Sequence, residues 1–245
     1  MTQKQCALIG CPDDRGVVNN NGRPGAADGP GQFRSWLQKP KGIYPVQDAL
    51  HDAGDLTTSN NTIQESHEEA IKLVKEHQGS FGNTLIIGGG HDNAYPHLKG
   101  IREWLGADKK LGCINLDPHF DLRPNDEKIL SGSPFYMALE EGLLHGKNLV
   151  EFGIQNHCNG AGLWQYAKDN QVKVYEFDQL RFGRTIDAFK QALYELSHHC
   201  DAVVISLDLD SINMAYAPGV SAPAVEGFTP SEIFEIMKLS AATEQ

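Results

Sequence analysis

The sequence of 245 residues is poor in positive charge. It contains 21 Lys and Arg against 32 Asp and Glu, a formal net charge of −11, and no dense basic cluster. A protein whose main partner is a nucleic acid or an anionic membrane usually carries such a cluster, because contacts to phosphate dominate its binding. The composition therefore disfavours both partners. It still permits an anionic small molecule, which a single local arginine can bind.

Long hydrophobic runs and paired cysteines are also missing. No apolar run approaches the roughly 20 residues that span a bilayer, and the first residues lack the apolar stretch of a signal peptide. The five cysteines are scattered along the chain, at Cys6, Cys11, Cys113, Cys158 and Cys200. An odd number without a Cys-x-x-Cys pair is typical of free thiols, which behave as small hydrophobic residues when buried. We therefore expect a reduced, cytoplasmic protein.

Short strand-like runs alternate with helix-like segments along the chain. The predicted strands are Gln5–Cys11, Asp48–Leu56, Thr84–Gly88, Lys110–Leu116, Asn148–Ile154, Val172–Phe177 and Ala202–Asp208. Apolar residues at helical spacing between them, as in Ile63–Val74 and Ile186–Leu196, predict amphipathic helices. Near-continuous apolar strands that alternate with helices indicate a parallel sheet with helices on both faces. Residues 1–245 are therefore predicted to form a single α/β domain, at a length usual for this class.

Two long segments rich in Gly, Pro and Asn each follow a predicted strand, at Pro12–Gly31 and Ser211–Gly227. Ligands of open α/β sheets bind in loops beyond the carboxyl ends of strands, so we expect both segments to border a site. Thr229–Glu232 then has the pattern of a helix start with a capping box. The chain ends soon after this helix, although a further strand would normally follow. The sequence therefore predicts that a C-terminal strand of the sheet is missing.

Three polar motifs stand at the ends of predicted strands: Gly88–Asp92, Asn115–Asp121 and Ser206–Asp210. Side chains alternate between the two faces of a strand. The spacing therefore predicts that Asp117, His119 and Asp121 point the same way, and that Asp208 and Asp210 also share a side. If the three strand ends are neighbours, these motifs meet in one small volume.

Such a meeting would be electrostatically unfavourable without cations. The groups brought together would be four carboxylates and two imidazoles, from Asp117, Asp121, Asp208, Asp210, His91 and His119. Carboxylates so close repel by several kcal/mol unless they are neutralised. Two divalent ions would balance four carboxylates, and carboxylate with imidazole suits Mn²⁺. Each motif alone is often only a cap, a solvated loop or a tight turn, but the three together indicate a two-metal hydrolase.

These motifs resemble those of the arginase/agmatinase (ureohydrolase) family. Gly-Gly-Gly-His-Asp, Asp-Pro-His-Phe-Asp and Ser-Leu-Asp-Leu-Asp are similar to its three metal motifs and follow the same order. Ala217–Pro223 resembles the family's Pro-Gly segment, and Gly25–Arg34 resembles its opening helix. The resemblance covers nearly the whole chain. It implies a three-layer α-β-α fold with a mostly parallel central sheet.

The same resemblance implies two Mn²⁺ per chain. One ion would be held by His91, Asp117, Asp121 and Asp208. The other would be held by Asp117, His119, Asp208 and Asp210, so that Asp117 and Asp208 bridge the two. An activated water would attack an amidine or guanidine carbon, and Asp121 would carry a proton to the departing amine.

Finer features resemble the formimidoylglutamase branch of this family, at Gly16–Ala26, His119–Arg123 and Ser131–Phe135. That branch hydrolyses N-formimino-L-glutamate to L-glutamate and formamide in histidine degradation. True arginases carry a histidine in place of Ser131, which disfavours an arginase. The expected contacts to the dicarboxylate substrate are Arg123, Asn20, Arg23 and Ser131. Among them Arg123 offers a bidentate donor to a carboxylate.

Alternatives stay open at the level of sequence. An agmatinase or guanidinobutyrase would use the same metal motifs. The family's Glu-x-Asn-Pro-like segment, which contacts the substrate, has no counterpart before Gln245, so a catalytically impaired metal-binding homologue or a truncated fragment is also compatible. Three other histidines without a partner motif, His97, His145 and His157, are expected at the surface or in packing roles. The resemblance leaves a homo-oligomer open.

Overall fold

The structure is a computed structural model that describes residues 6–39 and 49–242. The described residues form two compact units. The N-terminal unit runs up to Gly106 and includes Asn125–Pro134, and the C-terminal unit comprises Ala107–Pro124 and the residues from Phe135 onwards. Each unit contains its own parallel sheet. A single domain over residues 1–245 stays a prediction.

The N-terminal unit is built on three parallel strands in the order β2-β1-β3. The strands are β1 (Cys6–Cys11), β2 (Leu50–Asp55) and β3 (Thr84–Gly88). The helices are α1 (Arg15–Asn19), α2 (Gly29–Leu37), α3 (Ile63–Phe81) and α4 (Ala94–Leu105). The predicted starting residues Gln5 and Asp48 of two strands lie outside the described residues.

Helix α3 begins and ends where its local sequence requires. The Thr62 side chain accepts a hydrogen bond from the backbone of Glu65, whose side chain accepts from the backbone of Thr62, so both orphan donors are satisfied. Gly82 adopts the left-handed conformation with a φ of 81° and ends the helix. Apolar residues at helical spacing, such as Ala70 and Val74, are buried where α3 packs on α4 and β1.

The C-terminal unit has four parallel strands in the order β6-β5-β4-β7. The strands are β4 (Leu111–Leu116), β5 (Leu149–Ile154), β6 (Lys173–Glu176) and β7 (Ala202–Leu207). The helices are α5 (Pro134–Glu140), which begins at the boundary residue, α6 (Ala161–Asp169), α7 (Phe177–Leu180), α8 (Thr185–His199) and α9 (Pro230–Ala242). In the described part of the chain no strand follows β7. None of the described helices combines the length and the apolar character that a bilayer crossing demands.

All seven predicted strands are present, with ends within two residues of the prediction. The predicted capping box before α9 is confirmed, because the Thr229 hydroxyl and the Glu232 side chain each accept a hydrogen bond from the other's backbone N–H, at 3.3 and 2.9 Å. Every strand pair is parallel and helices lie between the strands. The predicted α/β class with parallel strands is therefore confirmed.

The two faces of the C-terminal sheet differ in character. Ile114 and Leu116 of β4 and Val150 and Phe152 of β5 are fully or almost fully buried in one apolar cluster with residues of α8 and α9. Residues between them in the sequence point to the opposite face, because side chains alternate along a strand. That opposite face is the one continued by Asp117, and it carries polar side chains.

We expect the substitution Gly100→Ala to destabilise the N-terminal unit. A Cβ at Gly100 would lie 2.6 Å from the Cβ of Val74 and 2.9 Å from the carbonyl oxygen of Ile71, so α3 and α4 would have to separate. Overpacking of this kind costs about 1–3 kcal/mol, which urea unfolding would measure. The control is Gly79→Ala, whose Cβ would only touch Trp104 at 3.6 Å. That variant should be neutral or slightly stabilising, and equal losses in both variants would contradict the close helix contact.

Candidate metal centre

The Asp117–Asp121 motif begins directly after β4. The backbone N–H of Asp117 still donates to the carbonyl of Phe152 at 3.1 Å, which fixes its start against β5. The strand then ends, and Asp121 adopts a φ of 48° in the left-handed region, which Asp tolerates better than most residues. The predicted strand alternation through Asp121 is therefore wrong. A turn, not a strand, sets the directions of these side chains.

The Asp208–Asp210 motif also lies beyond its strand. β7 ends at Leu207, and Asp210 lies in a short 3₁₀ turn, Leu209–Ser211. A carboxylate oxygen of Asp208 accepts a hydrogen bond from the backbone N–H of Asp210 at 3.0 Å and caps this turn. Strand alternation, from which the sequence predicts a shared side for Asp208 and Asp210, therefore does not apply here. The cap and the turn determine where the two side chains lie.

Two groups of side chains come together in the C-terminal unit. Carboxylate oxygens of Asp117, Asp121 and Asp208 lie within 4.8 Å of one another. Ligand atoms of Asp117, His119 and Asp210 also lie within 4.8 Å of one another. Asp117 is fully buried and belongs to both groups. The arrangement is that of two adjacent cation sites that share a carboxylate.

Two titratable groups in these clusters have pKa values far from their usual range. Burial by itself would lower the pKa of His119, but hydrogen bonds to Asp117 and Asp210 outweigh it and raise the pKa to about 12. Burial, followed by the charges of Asp208 and Asp117, raises the pKa of Asp210 to about 8. Among the protein groups alone, bound protons must offset the negative charge. A divalent cation can replace those protons.

The residues fit a pair of divalent cations. The Oδ1 atom of Asp210 is buried and has no hydrogen-bond partner among the described residues, which is rare for a buried carboxylate oxygen. His119 Nδ1 lies 3.2 Å from Asp117 and 3.4 Å from Asp210. The first group consists of carboxylates and the second of carboxylates and an imidazole, and neither includes a thiolate. This donor set suits Mn²⁺ better than structural zinc.

His91 belongs to the N-terminal unit. It opens a 3₁₀ turn directly after β3, as the sequence predicts, and is half-buried. The backbone N–H of Gly90 donates to the carbonyl of Asp13 at 2.9 Å, which ties the turn to the chain beyond β1. A Cβ at Gly89 would lie 2.3 Å from the same carbonyl oxygen. The glycine run is therefore needed for this close approach of two backbones.

A buried pair behind this turn has no signal in the sequence. His67 of α3 and Asp92 are both buried, with Nε2 and Oδ2 3.0 Å apart. A Cβ at Gly16 or Gly90 would lie 2.1 or 2.2 Å from Oδ1 of Asp92, so both glycines make room for this carboxylate. The helical pattern identifies His67 only as a residue of the buried face. Its partner lies 25 residues away and can be found only from the fold.

The structure brings together two of the four predicted substrate contacts. The Asn20 side chain donates a hydrogen bond to the Ser131 hydroxyl at 3.1 Å, and the Ser131 backbone N–H donates to the Gly16 carbonyl at 2.9 Å. Arg23 lies in the same N-terminal unit and is exposed. Arg123 is half-buried and belongs to the C-terminal unit. The two arginines therefore stand in different units.

A cleft of about 280 Å³ opens beside His119 in the C-terminal unit. Gln155, His157 and Cys158 form one wall, and residues 222–226 form another. The Gln155 side chain donates to the carbonyl of Glu226 at 2.8 Å and connects the two walls. The sequence predicts that the loop after the last motif borders a site, and this loop supplies the second wall. No pattern in the sequence indicates that His157 and Cys158 line the cleft.

Residues 4–244 match the sequence model of the arginase family. A formimidoylglutamase of Geobacillus kaustophilus is 35% identical over 229 residues, which are 94% of this chain and 70% of that protein. A solved structure of Trypanosoma cruzi formiminoglutamase with Mn²⁺ is similar with a TM-score of 0.88 and 32% identity, covering 99% of this chain and 84% of that one. The formimidoylglutamase of Bacillus subtilis also gives a TM-score of 0.88, at 26% identity, over 99% of this chain and 76% of that one.

These similarities confirm the predicted three-layer α/β fold, with parallel sheets flanked by helices. They extend over nearly the whole chain, including the regions that hold the three polar motifs. The chain belongs to the arginase family.

Proposed function

We propose that this chain is a binuclear-manganese hydrolase that converts N-formimino-L-glutamate and water to L-glutamate and formamide. The observation that carries the proposal is the pair of side-chain groups that share Asp117. These two groups occur in a chain that is 35% identical to a formimidoylglutamase and 32% identical to a formiminoglutamase whose structure was solved with Mn²⁺. The reaction cleaves one C–N bond of a linear amidine, and water supplies the new oxygen.

The two groups correspond to two proposed ion sites. Asp117, Asp121 and Asp208 would hold the first ion, and the family resemblance adds His91 to this set. Asp117, His119 and Asp210 would hold the second, and the resemblance makes Asp208 a second bridging ligand. When bound, such a pair of ions supplies Lewis-acid activation of water and of the amidine.

The protein's own side chains would orient the reactants and move the proton. Asp121 lies within 4.8 Å of the shared Asp117 carboxylate, at a left-handed backbone position. Backbone strain of this kind persists where the surrounding structure holds a functional side chain in place. We infer that Asp121 transfers a proton to the departing amine.

The substrate's carboxylates require positive or hydrogen-bonding partners. Arg123 follows Asp121 by two positions and is half-buried, so it can offer a bidentate contact with less solvent screening than a surface arginine. The Asn20–Ser131 pair offers an amide and a hydroxyl that already hold each other in place. Arg23, which is exposed, is proposed as a further contact through the resemblance.

Three other features stay predictions. The absence of a nucleic-acid partner is expected from the net charge of −11. A cytoplasmic location is expected from the five scattered cysteines, which form no Cys-x-x-Cys motif. A homo-oligomer stays open, as the family resemblance leaves it.

Turnover tests the function directly. The full chain, loaded with Mn²⁺, is incubated separately with N-formimino-L-glutamate, agmatine, 4-guanidinobutyrate and arginine, and formamide, glutamate and urea are measured. We expect formamide and glutamate in equal amounts from the first substrate, and no urea. Urea from agmatine or guanidinobutyrate would replace the proposal with a ureohydrolase. No product from any substrate, with Mn²⁺ bound, would indicate a catalytically impaired homologue.

Metal content tests the two-ion centre. The wild type should retain two Mn²⁺ per chain by elemental analysis, and a chelator should lower its melting temperature, because a bound ligand at 100 times its Kd stabilises by about 2.7 kcal/mol. Asp210→Asn should retain about one ion, because Asp210 belongs to only one of the two groups. The control is Asp187→Asn, an exposed carboxylate of α8. Two ions retained by Asp210→Asn would contradict the assignment.

Arg123→Ala should raise KM for N-formimino-L-glutamate by about 10–100-fold, since a hydrogen-bonded charge contact is worth about 1.5–3 kcal/mol. The value of kcat should change little, because this contact is made equally in the ground and transition states. Arg184→Ala, which removes an exposed arginine of the same unit, is the control and should leave KM unchanged. An unchanged KM in Arg123→Ala would remove Arg123 from the substrate contacts.

A further inference from the structure

Two polar side chains stand in the interior of the C-terminal sheet, where every other strand residue nearby is apolar or glycine. Asn115 of β4 and Glu151 of β5 have no solvent exposure, and all residues of both strands are buried. Asn115 and Glu151 are direct partners across the parallel ladder, so they lie side by side on one face. A buried carboxyl group costs several kcal/mol unless it is hydrogen-bonded or paired. Its presence here needs a reason other than core packing.

The amide of Asn115 connects Glu151 to the metal centre. Its Nδ2 donates to Oε2 of Glu151 at 2.9 Å and makes a longer contact of 3.4 Å to Oδ2 of Asp117. The opposite amide orientation would place Oδ1 against two carboxylate oxygens, so the two acceptors fix which way the amide points. In this orientation Asn115 Oδ1 is buried and finds no partner within the described residues. Asn115 therefore donates to both carboxyl groups, while its own Oδ1 accepts no hydrogen bond from the described residues.

Asp117 is consequently held at both of its oxygens. Oδ1 accepts from the backbone N–H of His119 at 2.8 Å, and Oδ2 faces the amide of Asn115. Because Asp117 is common to both ligand groups, its orientation affects both ions. Asn115 and Asp117 are two positions apart on the strand face opposite the apolar cluster. The polar pair thus forms a layer directly beneath the layer of metal ligands.

We propose that Asn115 and Glu151 are positioning residues of the metal centre: Glu151 anchors the amide of Asn115, and that amide orients the Asp117 carboxylate. Glu151 acts on the ligand Asp117 through Asn115, from whose amide it accepts a hydrogen bond. Hydrogen-bond partners of metal ligands fix ligand orientation and basicity, and their loss typically weakens metal binding about 10–100-fold. The proposal rests on the proposed function only in requiring that Asp117 binds a metal ion.

The first test is Glu151→Gln, which keeps the size but replaces one carboxyl oxygen by an NH₂ group that cannot accept a hydrogen bond. The matched control is Glu195→Gln. Glu195 also accepts a hydrogen bond from a neighbouring amide, that of Gln191 at 3.0 Å, but it lies at the surface of α8. Calorimetric titration of the purified full chain with Mn²⁺ alone should give an affinity about tenfold or more weaker for Glu151→Gln. The control should bind Mn²⁺ like the wild type.

The second test separates positioning from stability. In the double variant Asn115→Leu with Glu151→Leu, apolar side chains of similar size replace both polar groups. Such replacements of buried polar or ionic groups are often neutral or stabilising. We therefore expect an equal or higher urea midpoint in the presence of a chelator, together with Mn²⁺ binding at least tenfold weaker. A purely structural role predicts the reverse, with a lower midpoint and unchanged Mn²⁺ affinity.

Wild-type Mn²⁺ affinity in both variants would overturn the proposal. If the double variant does not fold, the Mn²⁺ affinity of Glu151→Gln alone tests the proposal. Failure of the proposed function alone gives a different result. If the wild type binds two Mn²⁺ but turns over no substrate, the proposed reaction is contradicted and the positioning role is not. A wild type that binds no Mn²⁺ overturns both.

Discussion

Buried carboxylates that lie within 4.8 Å of one another repel, and the segments that follow β4 and β7 place several carboxylates at such distances. Asp117 has no solvent exposure, and neighbouring charges add to burial in raising the pKa of Asp210 to about 8. A fold selected only for stability would place apolar residues there. The repulsion between these carboxylates is instead offset by the protons or cations that bind to them. The stability of this part of the unit therefore depends on how many of these protons or cations are bound.

The parallel sheet makes this arrangement compatible with a core. Ile114 and Leu116 point into the apolar cluster under α8 and α9, whereas Asn115 and Asp117 point to the other face of the same chain segment. The carboxyl ends of parallel strands meet at one edge, so adjacent strands deliver their polar ends to the same place. The segment from Ile114 to Asp117 therefore contributes two apolar core residues, the amide of Asn115 and the carboxylate of Asp117. A change of register by one residue would exchange the two faces and destroy both.

The sequence is sufficient for the parts of this structure that depend on local pattern. Strands such as β3 and β4 are recognisable because their apolar runs are continuous and bounded by glycine or charge, and the cap at Thr229 follows from a local rule. The directions of Asp121 and Asp210 were predicted from strand alternation, which fails because β4 and β7 end before the motifs and turns take over. The Asn115–Glu151 contact depends on which strands pair and in which register, and no spacing along the chain encodes that.

The charges also bear on how an anionic substrate could reach such a site. The chain carries a net charge of −11, and the two ligand groups concentrate four of its carboxylates. A dicarboxylate would be repelled by these groups alone, and a surface arginine would be too strongly screened to compensate. Two divalent cations would cancel the four carboxylate charges and remove their repulsion of an anionic substrate. In the proposed reaction, neutralisation of these carboxylates by bound cations would allow Arg123 to attract a carboxylate of the substrate.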